Sequence, residues 1–282
     1  MTPLTRQDIL AHQEQVPWSV LHQVEQDLLL CRAMVSIFED KFLSGQVAMR
    51  GGTVLHKVHL VPASRYSEDI DLVAVGDRPE EHISAALKRV LEDVLGKKQQ
   101  SAWSSLKPAV RNLARPSRVL RIVYKVPSVS EPGRILTVTV ETNVTERTPY
   151  RPPQRLPFSV PFRGATLATT IASYDINEML GTKMRALFQR TQGRDLFDLH
   201  WALTSLRGSA VAPADVIASF QHYMGEEGAT VLRAEYLRHL EECLADPGFC
   251  SDMDALLRTG LVYDAQVAGD TVRNELLALL PT

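Results

Sequence analysis

The sequence predicts an α+β protein of two lobes, an N-terminal αβ lobe built on a mixed sheet and a C-terminal all-α lobe. Residues 67–75 alternate acidic and aliphatic side chains, which is the period of a strand with one buried face. From residue 171 onward, apolar residues recur at the spacing of a helix. The change of pattern predicts two domains, residues 1–165 and residues 166–282.

Composition limits the classes of protein to consider. The chain has 282 residues, 45% hydrophobic and 23% charged, as in an ordinary globular protein with room for a core. Its formal net charge of −2 means that a polyanion would have to bind a local basic surface. Three cysteines without a CxxC pair argue against a disulfide framework or a structural zinc site. No apolar run approaches the roughly 20 residues that cross a bilayer, so we expect a cytoplasmic protein without a membrane partner.

Local patterns predict the elements of the first lobe in chain order. Residues 19–43 predict one or two amphipathic helices, and residues 80–97 predict another. Residues 118–126 and 134–142 predict two strands, and the turn-rich segment between them suits a hairpin. Five prolines within residues 148–164 predict a loop or linker, because proline cannot donate a backbone hydrogen bond.

The second lobe is predicted to be a set of helices. Gly193 separates the first two, since glycine disfavours a helix interior. The predicted helices cover residues 174–189, 194–206, 213–223, 228–245 and 266–280.

Two aspartates mark the alternating strand. Asp69 and Asp71 are two residues apart, so both side chains point to one face, while Ile70 and Leu72 point to the other. Neighbouring carboxylates repel unless a cation neutralises them or water solvates them. Mg²⁺ prefers one or two carboxylates together with substrate phosphates. The pattern therefore suits a metal site, and it equally suits a half-exposed strand with its acids in water.

A pair of glycines precedes this strand. Gly51 and Gly52 permit a close approach of the backbone to a ligand, and exposed N–H groups there could hold a phosphate. Thr53 could add a hydroxyl contact or cap the short helix predicted at residues 53–58. An ordinary turn is the alternative. The combination of the glycine turn with the acidic strand is more specific than either part.

The segments RGGTVLHKVH and RYSEDIDL resemble the first motif of the AbiEii/AbiGii family of nucleotidyltransferase toxins, which includes the MenT toxins. That family belongs to the polymerase-β-like nucleotidyltransferase superfamily, in which a glycine turn precedes a DxD or DxE strand. The resemblance implies a nucleotidyltransferase-type first lobe in which Asp69 and Asp71 bind Mg²⁺. It also implies that Gly51, Gly52 and Thr53 contact a nucleotide phosphate.

Three further residues match the family pattern around this motif. Arg65 and Ser67 occupy family-typical positions, where Ser67 would help to hold the triphosphate or would only form a turn. The superfamily usually has a third acid on a neighbouring strand. Glu141 has the matching face of the predicted strand 134–142, and the segment Glu141-Thr142-Asn143 is similar to a family E-x-N segment. The resemblance leaves open whether Glu141 binds metal or is an exposed glutamate at a strand end.

A second block, LGTKMRALFQRTQGRDLFDLHWAL, resembles the family motif K-x(2)-A-x(3)-R-x(3)-R-D-x(2)-D. The match favours Lys183 as a point charge for the triphosphate and Asp198 as a catalytic or orienting group, with general-base action as a hypothesis. For Asp195 we expect a structural role at the helix–helix turn, with Arg194 as the first candidate partner. Arg190 and Arg194 would either bind phosphates or form ion pairs with Asp195. A salt-bridged helical hairpin without catalytic function is the alternative.

Two basic stretches bear on the partner. One contains Arg111, Arg115, Arg118, Arg121 and Lys125, and the other contains Arg134, Arg147, Arg151 and Arg155. Such side chains bind polyanions, although charge runs are more often solvated faces. Several relatives attach nucleotides to the 3′ end of tRNA, so the resemblance implies an NTP substrate and an RNA acceptor, with tRNA as the expected one.

The resemblance also implies a toxin opposed by an antitoxin encoded beside it. The family's antitoxins are often winged-helix repressors that need not bind the toxin, so a stable complex is not implied. Two alternatives stay open: transfer of a nucleotide to a protein hydroxyl (AMPylation), and a nucleotide- or RNA-binding module without turnover.

Overall fold

The computed structural model describes four segments of the chain, residues 3–97, 99–106, 117–206 and 210–282. They form two compact units, of which the first ends at Tyr174 and the second begins at Asp175. The first unit thus runs past the domain boundary predicted at residue 165, and the division into two folding domains stays a prediction. Arg111 and Arg115 of the first basic stretch lie outside the described residues.

The first unit is built on a mixed sheet of seven strands in the order β3-β4-β5-β2-β1-β7-β6. The strands are β1 Val47–Arg50, β2 Asp69–Ala74, β3 Gln99–Leu106, β4 Ser117–Pro127, β5 Ile135–Asn143, β6 Gln154–Phe162 and β7 Ala165–Ser173. β2 runs parallel to β5, and β1 runs parallel to β7, whereas the other neighbours are antiparallel. The α+β class and the mixed sheet predicted from the sequence are confirmed.

Helices of the first unit contact this sheet. They are α1 Arg6–Gln13, α2 Leu21–Glu39, α3 Gly51–Val54 and α4 Glu80–Leu95. α2 is buried along most of its length, including the polar residues Glu25, Gln26, Asp27 and Arg32, so it is a core helix and the prediction of an amphipathic one is wrong in that respect. α4 buries one stripe that includes Ile83, Leu87 and Leu91. The helices predicted at residues 19–43 and 80–97 are thus confirmed as α2 and α4.

The predicted hairpin is confirmed as β4 and β5, which pair antiparallel. Its turn is fixed by a buried carboxylate from α2. Glu25 accepts hydrogen bonds from the Ser128 hydroxyl at 2.7 Å and from the amides of Val129 and Ser130 at 2.7 and 2.9 Å. This anchor connects the long helix to the strand that carries Glu141.

The prediction of a loop at residues 148–164 holds for residues 148–153 and 163–164 and is wrong for the strand between them. Residues Gln154–Phe162 form β6, at the edge of the sheet, and Ala165–Ser173 form β7. An edge strand leaves one row of N–H groups without a ladder partner, so prolines at the alternate positions 157 and 161 are tolerated there. The helical pattern predicted from residue 171 onward starts too early, because β7 continues to Ser173 and α5 begins at Ile176.

The second unit is helical, as predicted. Its helices in the described part of the chain are α5 Ile176–Gln189, α6 Gly193–Ser205, α7 Pro213–Glu226, α8 Arg233–Leu244, α9 Pro247–Ser251 and α10 Ala265–Glu275. Asp175 caps α5 by accepting a hydrogen bond from the amide of Asn177 at 2.9 Å. Among the described helices of either unit, none has the length and apolar character of a bilayer-spanning segment.

Candidate active site

The motif aspartates and Glu141 share one face of the sheet. The parallel register of β2 and β5 sets Asp71 beside Glu141, and it sets Asp69 beside Thr139. Residues paired in register point to the same side of a sheet, so the three carboxylates lie along one face. Glu141 has the facing that the sequence predicts, and its role as a metal ligand stays a prediction.

The first glycine of the turn lies directly against one of these acids. Gly51 has φ of +85°, a conformation that side chains rarely adopt. A Cβ atom built on Gly51 would overlap the Asp71 carboxylate. Glycine is therefore required twice, by the backbone conformation and by the close approach of the turn to Asp71.

The second glycine lies against the other family-typical residues. A Cβ atom on Gly52 would overlap the guanidinium of Arg65 and would lie 3.2 Å from the Ser67 hydroxyl oxygen. Arg65 is buried, and its Nη1 donates to the carbonyl oxygen of Tyr66 at 3.0 Å. The turn, Arg65 and Ser67 thus form one assembly beside the carboxylates.

One of the two roles predicted for Thr53 is wrong. It lies inside α3, which begins at Gly51, so its interpretation as a helix cap is wrong. The side chain is fully buried, and its hydroxyl contacts the Ser67 hydroxyl at 2.8 Å and the carbonyl oxygen of Asp69. The Thr53 side chain therefore ties the glycine turn to the acidic strand.

The carboxylates repel one another in the absence of a cation. Burial raises the pKa of Asp69 to about 6, and the negative charges of Asp71 and Glu141 add to the rise, while a hydrogen bond from Thr139 opposes it. Asp69 as a whole residue is nevertheless exposed to solvent, so a cation can reach its carboxyl group. A divalent cation would relieve this repulsion.

Arginines flank the acids on both sides along the sheet. Arg50 is in register with Asp71, and its Nη1 lies 2.5 Å from Oε2 of Glu146. On the other side, Arg121 of β4 is in register with Glu141, and its Nη2 lies 2.5 Å from Oε1 of that residue. Both arginines have acidic partners within the first unit.

Other members of the two basic stretches also have partners. Arg118 lies 2.7 Å from the Glu80 carboxylate, and Arg134 lies 2.6 Å from that of Glu131. Lys125 donates to the Thr137 hydroxyl at 2.9 Å. Several side chains of the basic stretches are therefore paired with nearby groups of the first unit. A solvated surface without a polyanion partner would show the same pairing.

The second family block forms a buried ionic network in the second unit. Lys183 Nζ lies 3.0 Å from Oδ1 of Asp195 and 2.8 Å from Oδ2 of Asp198, and both aspartates are fully enclosed. Arg190 donates to both oxygens of Asp195, at 2.9 and 3.0 Å. These cations lower the pKa of Asp195 although burial opposes them. Among the two candidate partners of Asp195, the structure thus selects Arg190.

Arg194 has other contacts. Its side chain donates to Gln192 Oε1 at 3.0 Å, and its amide donates to Asp252 Oδ2 at 3.0 Å. Lys183 and Asp198 are therefore brought together in the second unit, whereas Gly51, Gly52, Thr53, Arg65, Ser67, Asp69, Asp71 and Glu141 are brought together in the first.

Sequence reasoning missed one cluster of metal-ligand type, formed by buried His12, Asp27 and Cys31. Asp27 accepts hydrogen bonds from His12 Nε2 and Trp18 Nε1, each at 2.8 Å, and forms an ion pair with Lys57. The ammonium group and the indole N–H already occupy the carboxylate, so the donor set suits a cation poorly. The cluster instead fastens Lys57, in the helical turn Leu55–His59 that follows α3, to α2.

Comparison with known families identifies the chain. The model of the family described as nucleotidyl transferase AbiEii toxin, type IV toxin–antitoxin system, matches residues 32–266. The chain belongs to the AbiEii family. It is accordingly a nucleotidyltransferase and a toxin of the type IV class, and this membership implies an NTP substrate and an antitoxin counterpart.

Solved structures share its fold. MenT4, a nucleotidyltransferase toxin from Mycobacterium tuberculosis H37Rv, is similar with a TM-score of 0.63 and 17% identity, covering 99% of this chain and 91% of that chain. A protein from H. pylori described as a nucleotidyltransferase is similar with a TM-score of 0.52 and 16% identity, covering 90% and 92%. No curated protein matches the chain significantly.

The carboxylate face fits the divalent metal that nucleotidyltransferases generally use. The carboxylates of Asp69, Asp71 and Glu141 are hard oxygen donors on adjacent strands, which suit Mg²⁺ better than the nitrogen and sulfur donors around Asp27 do, although among the described residues only His12, Asp27 and Cys31 bring three ligand atoms within 4.8 Å of one another. Burial, together with repulsion among the donors, raises the pKa of Asp69, and a bound dication would offset the repulsion.

Proposed function

We propose that this toxin transfers a nucleoside monophosphate from an NTP to an RNA acceptor at the 3′ end of tRNA, with Mg²⁺, and releases pyrophosphate. One observation carries the proposal: three carboxylates share a sheet face beside a glycine turn that packs directly against Asp71. A cytoplasmic location follows from these substrates.

Each candidate site residue of the first unit has a proposed role. Asp69 and Asp71 hold the metal, with Glu141 as a third ligand, and the metal supplies charge neutralisation at the reacting phosphorus. The Gly51-Gly52 turn offers backbone N–H groups to the phosphates. Arg65 and Ser67 support that turn, because the Arg65 guanidinium and the Ser67 hydroxyl lie against Gly52. The hydroxyl of Thr53 is occupied within the protein, so a nucleotide contact from Thr53 would come from its backbone.

The reaction balances without another reactant. The acceptor hydroxyl oxygen attacks the α-phosphorus, a new P–O bond forms, and the bond to the β-phosphate oxygen breaks. Pyrophosphate takes that electron pair, and the hydroxyl proton passes to a base. We assign the base to Asp198 and assign binding of the triphosphate charge to Lys183, by carry-over of the family motif. The charged atoms of Lys183 and Asp198 lie 2.8 Å apart. Each would have to give up part of this contact in order to contact the substrate.

The RNA acceptor is assigned from the family and from exposed basic side chains. Family membership and the exposed arginines favour RNA, since phosphate contacts provide most of the affinity of a protein for nucleic acid. Arg118 and Arg121 each retain about half of their side-chain surface exposed, at 51% and 48%.

The test is incubation of the purified protein with each labelled NTP, Mg²⁺ and total tRNA, with Asp71→Asn as the matched inactive control. Label in tRNA supports the proposal. Label in protein would assign the AMPylation alternative, and label in neither, with NTP binding intact, would indicate a module without turnover. Removal of the metal-binding charge should lower the rate by roughly a thousandfold, because metal stabilisation of the transition state amounts to several kcal/mol.

The role of Asp198 has its own test. Asp198→Asn keeps the size of the side chain and removes the base, so product formation should fall steeply while thermal unfolding shows a folded protein. Product formation at the normal rate by a folded Asp198→Asn protein would remove the general-base assignment and leave the rest of the proposal intact.

A further inference from the structure

Arg121 occupies an unusual position next to the proposed metal site. Its side chain reaches across from β4 to β5, and its Nε and Nη2 atoms lie 2.7 and 2.5 Å from the same oxygen of Glu141, Oε1. The register that pairs Arg121 with Glu141 continues on the other side of β5, where Glu141 is paired with Asp71. Glu141 therefore lies between a guanidinium and an aspartate.

This position gives Glu141 two competing partners. A carboxylate that accepts two hydrogen bonds from a guanidinium has part of its charge offset and one oxygen occupied, which makes it a weaker metal ligand. The pair is solvent-accessible, with 48% of the Arg121 side chain and 24% of the Glu141 side chain exposed. Accessible ion pairs are weak, so a stronger partner can displace one member.

We propose that Arg121 exchanges partners during binding: it pairs with Glu141 in the metal-free enzyme and moves to a nucleotide phosphate when metal and NTP bind. The inference rests on the proposed function, because it requires the carboxylate face to bind a metal–nucleotide complex. Guanidinium suits this exchange, since its planar donors fit carboxylate and phosphate oxygens equally well. Arg121 thereby keeps the third acid neutralised until the substrate arrives.

The exchange predicts two effects of opposite sign for Arg121→Ala. Without nucleotide, Glu141 loses its competitor, so Mn²⁺ measured by electron paramagnetic resonance should bind about threefold more tightly than to the wild type. With Mg²⁺ present, a non-hydrolysable NTP analogue measured by calorimetry should bind about tenfold more weakly, because one charge-assisted phosphate contact is missing. A residue that only stabilises the hairpin would change neither constant.

Two variants control for charge and for folding. Lys125→Ala removes the same charge from the same face of β4, four residues along the strand and about 13 Å away, and it should leave the Mn²⁺ affinity unchanged. Arg121→Lys keeps the charge without the planar fork, so its Mn²⁺ affinity should stay near the wild-type value and its analogue affinity should fall less than that of Arg121→Ala.

The outcomes separate this inference from the proposed function. Equal Mn²⁺ affinity in the wild type and Arg121→Ala, or weaker binding in the variant, overturns the exchange. Equal Mn²⁺ affinity in the wild type and Asp71→Asn overturns the proposed metal site itself. Tighter Mn²⁺ binding with unchanged analogue binding overturns the movement of Arg121 to phosphate.

Discussion

The carboxylate face of the first unit and the ionic network of the second are both clusters of acids, but their charge balance differs. Asp69, Asp71 and Glu141 share one face, where the guanidinium of Arg121 pairs with Glu141, while Arg50, in register with Asp71, pairs with another acid, Glu146. In the network, Asp195 and Asp198 are contacted by two cations, Lys183 and Arg190. The first cluster carries excess negative charge, and the second is close to neutral.

The pKa values move in opposite directions for this reason. The pKa of Asp69 is raised to about 6 by burial and by its acidic neighbours, whereas the cations around Asp195 lower the pKa of that buried carboxyl group. The buried ionic network is close to neutral and needs no bound ion, whereas the excess negative charge of the carboxylate face attracts a cation. The comparison therefore favours the first cluster as the place where a cation binds, and it makes Lys183 structurally necessary as well as a candidate for catalysis.

Replacement of Lys183 is expected to have the largest effect on stability. Lys183→Met leaves two fully enclosed carboxylates with one cation fewer, and loss of one partner from a buried ion pair costs about 3–5 kcal/mol. Denaturant titration gives the free energy of unfolding. A loss below about 1 kcal/mol would contradict the view that the network is internally balanced.

The double variant Lys183→Met/Asp198→Asn separates the structural role from the catalytic one. Removal of the Asp198 charge should recover much of the lost stability, since an unpaired buried charge is what destabilises the single variant. Recovered stability with activity still absent supports catalytic roles for both groups. Recovery of both stability and activity would show a salt-bridged hairpin without a part in the chemistry.

The next largest effect on stability is expected for the glycine turn beside the carboxylate face. Gly51→Ala should cost about 1–2 kcal/mol for the positive φ, and the new Cβ should also displace the Asp71 carboxylate and weaken Mn²⁺ binding. Gly164→Ala is the matched control, because Gly164 has φ of +76° with nothing within 4 Å of an added Cβ. Equal Mn²⁺ affinity in the two variants would show that the contact with Asp71 is unimportant.

The sequence predicts those parts of the fold that depend on local periodicity. The acidic strand, the β4–β5 hairpin and the helices of the second unit follow from alternation or helical spacing within one segment. β6 and β7 were beyond this reasoning, because prolines at positions 157 and 161 suggest a loop unless the strand is known to lie at an edge. Edge position depends on which distant strands pair, and local patterns do not contain it.

The candidate site divides in the same way. The shared face of Asp69 and Asp71 follows from their spacing, and the face of Glu141 follows from its own strand. The pairing of Arg121 with Glu141 depends on the register of two strands, and the contacts of Asp27 with His12, Trp18 and Lys57 join separate segments of the chain. The family motif indicates which residues matter, but their partners come only from the three-dimensional structure.

The smallest expected effect is a pH dependence of opposite sign in the two clusters. In metal-free protein, the pKa of Asp69 lies near 6, above its unfolded value of 3.8, so ionisation of Asp69 opposes folding above pH 6. Asp69→Asn should therefore be slightly more stable than the wild type at pH 7.5, and the difference should vanish as pH falls from 6 towards 4. The effect is small because the residue is exposed and water screens its charge.

Asp195→Asn should behave in the opposite way. The pKa of Asp195 is lowered, so its ionised form stabilises the fold at neutral pH, and that contribution is lost as pH falls below the unfolded value of 3.8. Denaturant titrations from about pH 2 to pH 8 with a chelator measure both differences. Added Mg²⁺ should then reverse the order of Asp69→Asn and the wild type at pH 7.5, because a ligand that binds the folded state stabilises it. If Mg²⁺ leaves that order unchanged, the excess negative charge of the first cluster does not serve to bind a cation.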